Sequence, residues 1–350
     1  MSFSLIDATS ILKEQSPYTA TCVSRSGGEV SDIKLFRVEP GGASEIEGTA
    51  EVIEKNLQTL FERNLEALLG VRFLASEFST GPVHGGRIDT LGIDEDGSPV
   101  IIEYKRMTKD NVMNQGLFYL DWLFDHRGDF AMLVQKAYGA DEVARIDWSG
   151  PRLLCIAGDF TRYDEHAVKQ IARNIELLRY RRFGDDLLMI ELIHNPRVAR
   201  SPRATLASQK SEPAQESEPA LETEKGRPEA HRSQEIAYRV SQTAGELRSI
   251  FDATYEFLAS IGDDVQVKEQ KFYIAFKRIK NFACLEVYPQ SKVVFVHLKI
   301  NPDQVVLEEG FIRDMRKVGH FGTGDLQVAI RTLEDFRRAQ PLFQQSYDNS

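Results

Sequence analysis

The chain has 350 residues, of which 42% are apolar and 27% charged, the usage of an ordinary globular protein, and its net charge is −10. No apolar run approaches the roughly 18 residues that a membrane-spanning helix needs. Residues 1–200 carry 23 basic against 31 acidic side chains and the rest is near parity, so the footprint of a sequence-blind nucleic-acid binder is excluded and any polyanion must be met by a local patch.

The opening stretch "MSFSLIDATSILKEQS" lacks the basic start and apolar core of a signal peptide, which makes a cytoplasmic location the expectation. Residues 18–39 read as two short strands around "SGGEVSD". Over 50–69 the apolar residues Val52, Leu57, Leu60, Phe61, Leu65 and Leu68 recur at helical spacing, and "VRFLASEFST" follows as a strand. "GRIDTLGIDEDGSPVIIEYKR", residues 86–106, reads as a β-hairpin, with two apolar runs around a turn-rich "DEDGSP". "KDNVMNQGLFYLDWLFDH" predicts a second helix, and "DFAMLVQKAYG" fits either element. "PRLLCIAGDF" predicts a buried strand, "DEHAVKQIARNIELLRYRRFG" a third long helix and "DLLMIELI" a last strand. Alternating elements of this kind imply an α/β core with a mixed sheet.

Residues 201–234 are rich in Pro, Glu, Ser and Ala and almost free of aromatic and β-branched residues, the composition of a flexible tether. The expected organisation is a strand-forming segment at 1–48 packed on a unit at 49–200, a linker at 201–234 and a smaller α+β unit at 235–350. In that last unit "AYRVSQTAGELRSIFDATYEFLASIG" predicts an amphipathic helix. "VQVKEQKFYIAFKR", "NFACLEVYPQ" and "KVVFVHLKI" predict three strands, and the remainder predicts helices with one further strand. Cys22, Cys155 and Cys284 are isolated and adjoin no metal-binding histidine, so a structural zinc site is excluded and buried thiols are expected.

The hairpin carries an anomaly. Its strands hold Asp89, Glu103 and Lys105, although the second strand is otherwise the apolar run "PVIIEY". Glu103 and Lys105 are two apart and share a face. With residues 94–98 as the turn, Ile93 faces Pro99, Leu91 faces Ile101, and Asp89 falls opposite Glu103. Opposed Cβ atoms lie about 5 Å apart, and two carboxylates at that spacing repel unless one is protonated or a cation lies between them. A hard divalent ion such as Mg²⁺ takes oxygen ligands of this kind, and the lysine beside it could hold a phosphate oxygen or a water. A Lewis acid, an activated water and a fixed positive charge are the needs of metal-assisted phosphodiester hydrolysis.

"RID", followed fourteen residues after its Asp by "EYK", resembles the core of the PD-(D/E)XK nuclease superfamily, and specifically its NucS/EndoMS-type, RecB-like branch. The resemblance covers about residues 50–195. It implies a restriction-endonuclease-like mixed sheet with flanking helices. It also implies that Asp89 and Glu103 bind Mg²⁺ or Mn²⁺, that Lys105 assists catalysis, and that Gln115 and Tyr119, one helical turn apart on the next helix, orient the lysine or a phosphate. A metal-binding glutamate on the first core helix is implied as well. Glu54 is preferred, with Glu62 and Glu66 open. The activity implied is that of a metal-dependent DNA endonuclease acting in repair or defence, assembled as a homodimer. The alternative is a catalytically silent scaffold that binds nucleic acid or protein. The first 48 residues are too few for that branch's separate N-terminal DNA-binding domain.

Residues near the C-terminus resemble a small bacterial domain of unknown function that often follows nuclease-like domains, which would serve as a targeting module, a sensor or the docking point of a protein partner. "FGTGD" reads as an anion-binding loop or as a plain turn. "KFYIAFKRIKNF" interleaves aromatic and basic residues, either to stack bases and hold phosphates or to fill a core. Lys105, Arg106, Lys109 and "RYRRF" at 179–183 are the candidate phosphate patch. His84 is a candidate to reach the site, whereas His126 reads as a helix cap and His320 as structural.

Overall fold

The computed structural model describes residues 33–49, 54–105, 112–195 and 235–350. In chain order the first part runs β1 (Leu35–Glu39), β2 (Gly42–Ile46), β3 (Gly48–Thr49), α1 (Glu54–Arg63), α2 (Leu65–Leu69), β4 (Val71–Ser79), α3 (Gly81–His84), β5 (Arg87–Asp94), β6 (Pro99–Lys105), α4 (Val112–Asp125), α5 (Arg127–Tyr138), α6 (Ala140–Val143), β7 (Arg152–Ala157), α7 (Arg162–Val168), β8 (Asn174–Phe183) and β9 (Leu187–His194). After the segment 196–234 come α8 (Ile236–Ser241), α9 (Gly245–Ser260), β10 (Gln266–Glu269), β11 (Ile274–Lys277), β12 (Asn281–Tyr288), β13 (Val293–Leu298), β14 (Ile312–Asp314), β15 (Leu326–Ile330) and α10 (Leu333–Asp348).

The first part is built on one mixed sheet in the order β3-β8-β7-β6-β5-β4, with β9 also paired to β8. β6, β7 and β8 run parallel and the other pairs antiparallel. The parallel strands are covered on both faces. Leu57, Phe61 and Leu65 of the first helices pack on Val100, Ile102, Leu154, Leu178 and Tyr180. On the other face Leu120, Leu123, Phe130 and Val134 of α4 and α5 pack on Ile101, Leu153, Cys155, Ile175 and Leu177.

This burial corrects one expectation. Residues 164–184 are not one long helix. α7 stops at Val168 after a Thr161–Asp164 capping box, and "NIELLRYRRF" is the strand β8. Its apolar residues do not simply alternate, because Ile175 and Leu177 serve one core while Leu178 and Tyr180 serve the other. Arg179 is accordingly buried between Asp159 and Glu191 rather than presented on a helix surface, which removes it from the phosphate patch. The ambiguous stretch at 129–139 is helical, and the helix predicted over 50–69 breaks at Asn64. The strands expected around "SGGEVSD" fall mostly outside the described residues. The described hairpin β1–β2 turns at Pro40–Gly41 and forms a sheet of its own.

The C-terminal part is an antiparallel sheet in the order β10-β11-β12-β13-β15-β14, with α9 and α10 packed on one face through Ile250, Phe251, Leu258, Ala339 and Phe343. Its first helical stretch breaks around Ala244 into α8 and α9, and "VQVKEQKFYIAFKR" folds back on itself as β10 and β11.

The turn of the hairpin, "DEDGS", is inserted against this second sheet. Asp94, 1% exposed, accepts from Arg152 at 3.0 Å and from Lys277 at 3.1 Å, and Arg152 makes a paired bond to Glu176 at 2.7 and 2.8 Å. Asp96 accepts from the Tyr273 hydroxyl at 2.9 Å and the Asn281 amide at 2.8 Å. Glu95 pairs with Lys299 and accepts from the Asn281 backbone. Lys268 bonds Ser98 and Asp147. Burial works to raise the Asp94 carboxyl, but Lys277, Arg152 and Lys268 together hold it well below the usual carboxylate range. Tyr273, Lys277 and Asn281 of the stretch at 271–282 are spent on this contact, whereas Arg278 pairs with Asp264. Lys277 and Tyr273 answer buried carboxylates, and Phe276 and Phe282 fill the core.

Candidate active site

The β5–β6 register is the expected one: Ile93 pairs with Pro99, Leu91 with Ile101 and Thr90 with Ile102, which aligns Asp89 with Glu103. The two carboxylates are interlocked. The Asp89 N–H donates to Glu103 Oε1 at 3.2 Å, and the Tyr104 N–H donates to Asp89 Oδ2 at 3.0 Å. Glu103 is fully buried, and its second oxygen, Oε2, has no hydrogen-bond partner among the described residues. Burial, reinforced by the neighbouring Asp89 charge, pushes the Glu103 carboxyl up to about 9.

Asp89 and Lys105 open into a cleft of about 670 Å³, whose walls include Gln115 and Tyr119 of α4 and Lys55 and Gln58 of α1. The Tyr119 hydroxyl accepts from the Arg87 N–H at 3.1 Å and from the Gln115 side-chain amide at 3.1 Å. This pair therefore fastens the start of β5, two residues before Asp89. The close approach requires a glycine: a Cβ on Gly86 would lie 2.5 Å from Tyr119 Cε1. Thr80 and Gly86 close the loop before β5 through the bond of the Gly86 N–H to Thr80 Oγ1.

The predicted residues Asp89, Glu103, Lys105, Gln115 and Tyr119 thus lie at one end of the sheet. The Glu54 side chain lies outside the described residues. Glu62 accepts from Thr90 and Gln58, behind β5 relative to Asp89, and Glu66 is exposed at the start of α2. His84 packs edgewise near Phe118 and His126, beside the cleft rather than in it. His126 bonds the Trp122 carbonyl, and His320 stacks on the buried His297.

Sequence reasoning missed Gln58, which donates to the Asp89 carbonyl at 2.7 Å, and Glu77. Ser76 pairs with Thr90 and Phe78 with Ile88, so Glu77 stands across from Asp89 and continues the Asp89–Glu103 row onto β4. A register carried back through the seven-residue connection would have found it. Among the described residues no three His, Cys, Asp or Glu side chains form a ready ligand cluster. The donor set nonetheless fits a hard divalent cation. Two adjacent carboxylates, one with a buried oxygen lacking a partner, match an ion that keeps waters and substrate oxygens for its remaining positions.

A family described as a domain of unknown function (DUF5655) matches residues 239–350. An uncharacterized protein of Haemophilus influenzae is 25% identical over 321 residues, which cover 90% of this chain and 99% of that protein. Among solved structures, an EndoMS complex with double-stranded DNA is similar at 20% identity and a TM-score of 0.22, over 41% of this chain and 50% of that one. A repair endonuclease from Pyrococcus abyssi is similar at 18% identity and a TM-score of 0.21, over 39% and 51%. The chain spans about half the length of these two solved structures.

Proposed function

We propose that the chain is a metal-dependent nuclease that hydrolyses phosphodiester bonds of DNA. The observation that carries this reading is the buried Glu103 carboxyl, locked to Asp89 with one oxygen unpartnered, beside a lysine at a cleft. Such a carboxyl is costly to ionise unless a cation joins it. Asp89 and Glu103 would hold Mg²⁺ or Mn²⁺. When bound, the ion would supply Lewis-acid charge at the scissile phosphate and make a water more acidic.

The chain's own residues do the rest. Lys105, two residues after Glu103 on the same face, offers a fixed positive charge to the attacking water or to the charge that develops on the phosphate. Gln115 and Tyr119 hold the β5 backbone so that Asp89 keeps its place. Gln58 fixes the Asp89 carbonyl from the other wall.

The test is cleavage of single-stranded, duplex, mismatched and branched DNA with Mg²⁺, Mn²⁺ or EDTA, with Lys105→Ala beside the wild type. Cutting that needs metal and vanishes in the variant is expected. Absence of cutting on every substrate, with binding unchanged by Lys105→Ala, would replace this reading with a binding module.

A further inference from the structure

Glu77 is one of two non-glycine residues among those described with a left-handed backbone, at φ 53°. The other, Lys292, sits in an ordinary tight turn between β12 and β13. Glu77 lies inside strand β4 and against the cleft. A left-handed residue in a strand costs free energy, and such strain gathers where a side chain must be aimed at a functional site. Glu77 is aimed between two cations. Its carboxylate meets Lys55 Nζ at 2.9 Å and Arg87 Nε at 2.5 Å, and these bonds, the Lys55 bond first, hold it below the usual carboxylate range. Lys55 and Arg87 come from opposite walls and remain mostly open to solvent, with side chains 57% and 69% exposed. Arg87 is two residues from Asp89, and its backbone is the one fastened by Tyr119.

We propose that Lys55 and Arg87 form a phosphate subsite next to the Asp89–Glu103 centre, and that in the free protein Glu77 fills it as an internal mimic of a substrate phosphate. An anionic group between a guanidinium and an ammonium is the arrangement a phosphodiester would take there. The substrate class is a polyanionic strand with a backbone phosphate adjacent to the scissile one. Binding exchanges the Glu77 carboxylate for that phosphate, so the two cations are never left unpaired and a weak anion does not gain the site. The inference builds on the nuclease reading but is tested by binding alone.

The experiment measures affinity of the full chain for a short fluorescent DNA oligonucleotide across a salt series. Ca²⁺ stands in for Mg²⁺ as a hard oxygen-seeking ion. The proteins are wild type, Glu77→Gln, Arg87→Ala, Lys55→Ala and the doubles of Glu77→Gln with each. Glu77→Gln should tighten binding about twofold to fivefold at low salt, the range of partly exposed ion pairs. Arg87→Ala and Lys55→Ala should each weaken it and reduce the salt slope by about one. In each double the gain from Glu77→Gln should shrink, because the carboxylate competes only through those two cations and one of them is gone. A gain that persists undiminished in the doubles marks mere removal of a repelling charge and overturns the proposal, as does no gain at all. Thermal melts confirm that each variant is folded. A flat cycle with cleavage still lost in Lys105→Ala would sink this subsite and leave the nuclease reading standing. An intact cycle without cleavage of any DNA would do the reverse.

Discussion

Replacing Glu103 by Gln should make the metal-free protein more stable, although the residue is buried and bonded in the wild type. In the unfolded chain this carboxyl ionises near 4.5, whereas in the folded, metal-free chain it keeps its proton up to about 9. Across that window the folded state binds the extra proton. The group's stability contribution is therefore fully present below 4.5, falls as pH rises, and is spent above about 9. At about 1.36 kcal/mol per pH unit, the loss by pH 7 is about 3 kcal/mol. A glutamine keeps the shape and the acceptor for the Asp89 N–H but never ionises. In EDTA, urea denaturation should thus find Glu103→Gln no more stable than wild type near pH 4.5, more stable by a few kcal/mol at pH 7, and further ahead as pH approaches 9. Added Mn²⁺ should stabilise the wild type and not the variant. Calorimetry in two buffers of different ionisation enthalpy should find about one proton released per ion bound at pH 7. Equal or lower stability of Glu103→Gln at alkaline pH, or metal binding without proton release, would refute the reasoning that this carboxyl waits for a cation.

Two other perturbations separate the cleft from the scaffold. Gly86→Ala would place a methyl 2.5 Å from Tyr119 Cε1 and 3.2 Å from Thr80 Oγ1, so the ring must shift and release the Arg87 N–H. The melting temperature should change little while the rate of any cleavage falls by about 10²-fold, the cost of an ångström-scale misplacement. Lys277→Met acts at the other end of the hairpin: it leaves the buried Asp94 with Arg152 as its remaining cation partner at hydrogen-bonding distance, and should destabilise by about 3 kcal/mol in chemical denaturation. Coupling it with Asp94→Asn should recover part of that loss.

Much of this was legible because a strand has period two. Once the turn was set at 94–98, the alternation of "GRIDTLGI" and "PVIIEYK" dictated that Asp89 and Glu103 meet, and the structure has that register. Gln115 and Tyr119 were legible for the same reason in a helix, where i and i+4 share a face. The failures have equally local causes. In "NIELLRY" the positions of Ile175, Leu177, Leu178 and Tyr180 satisfy a helical stripe as well as a strand buried on both faces, and periodicity alone does not separate them. Glu77 is reached only by carrying the register back across residues 80–86 onto β4, and its left-handed backbone is a tertiary consequence that no alternation rule anticipates. Lys277 and Tyr273 read from sequence as nucleic-acid contacts as readily as core residues, because their partners, Asp94 and Asp96, lie more than 170 residues earlier in the chain.

The hairpin holds acidic groups at both ends, and the two ends are solved differently. At the tip, Asp94 pairs with Arg152 and Lys277 and is kept ionised in a buried site, Glu95 pairs with Lys299, and Asp96, bonded to Tyr273 and Asn281, is pushed up by burial and the Asp94 charge. At the base, Glu103 has, among the described residues, no cation at hydrogen-bonding distance and one oxygen without a partner, and burial raises its carboxyl. Asp94 and Glu95 are thus neutralised from the chain's own side chains, whereas Glu103 is buried with no such cation at hydrogen-bonding distance among the described residues. What separates the base from the tip is the cleft: the tip carboxylates are closed in by Lys277, Tyr273, Asn281 and Lys299 of the C-terminal part, whereas Asp89 opens into a cavity of about 670 Å³.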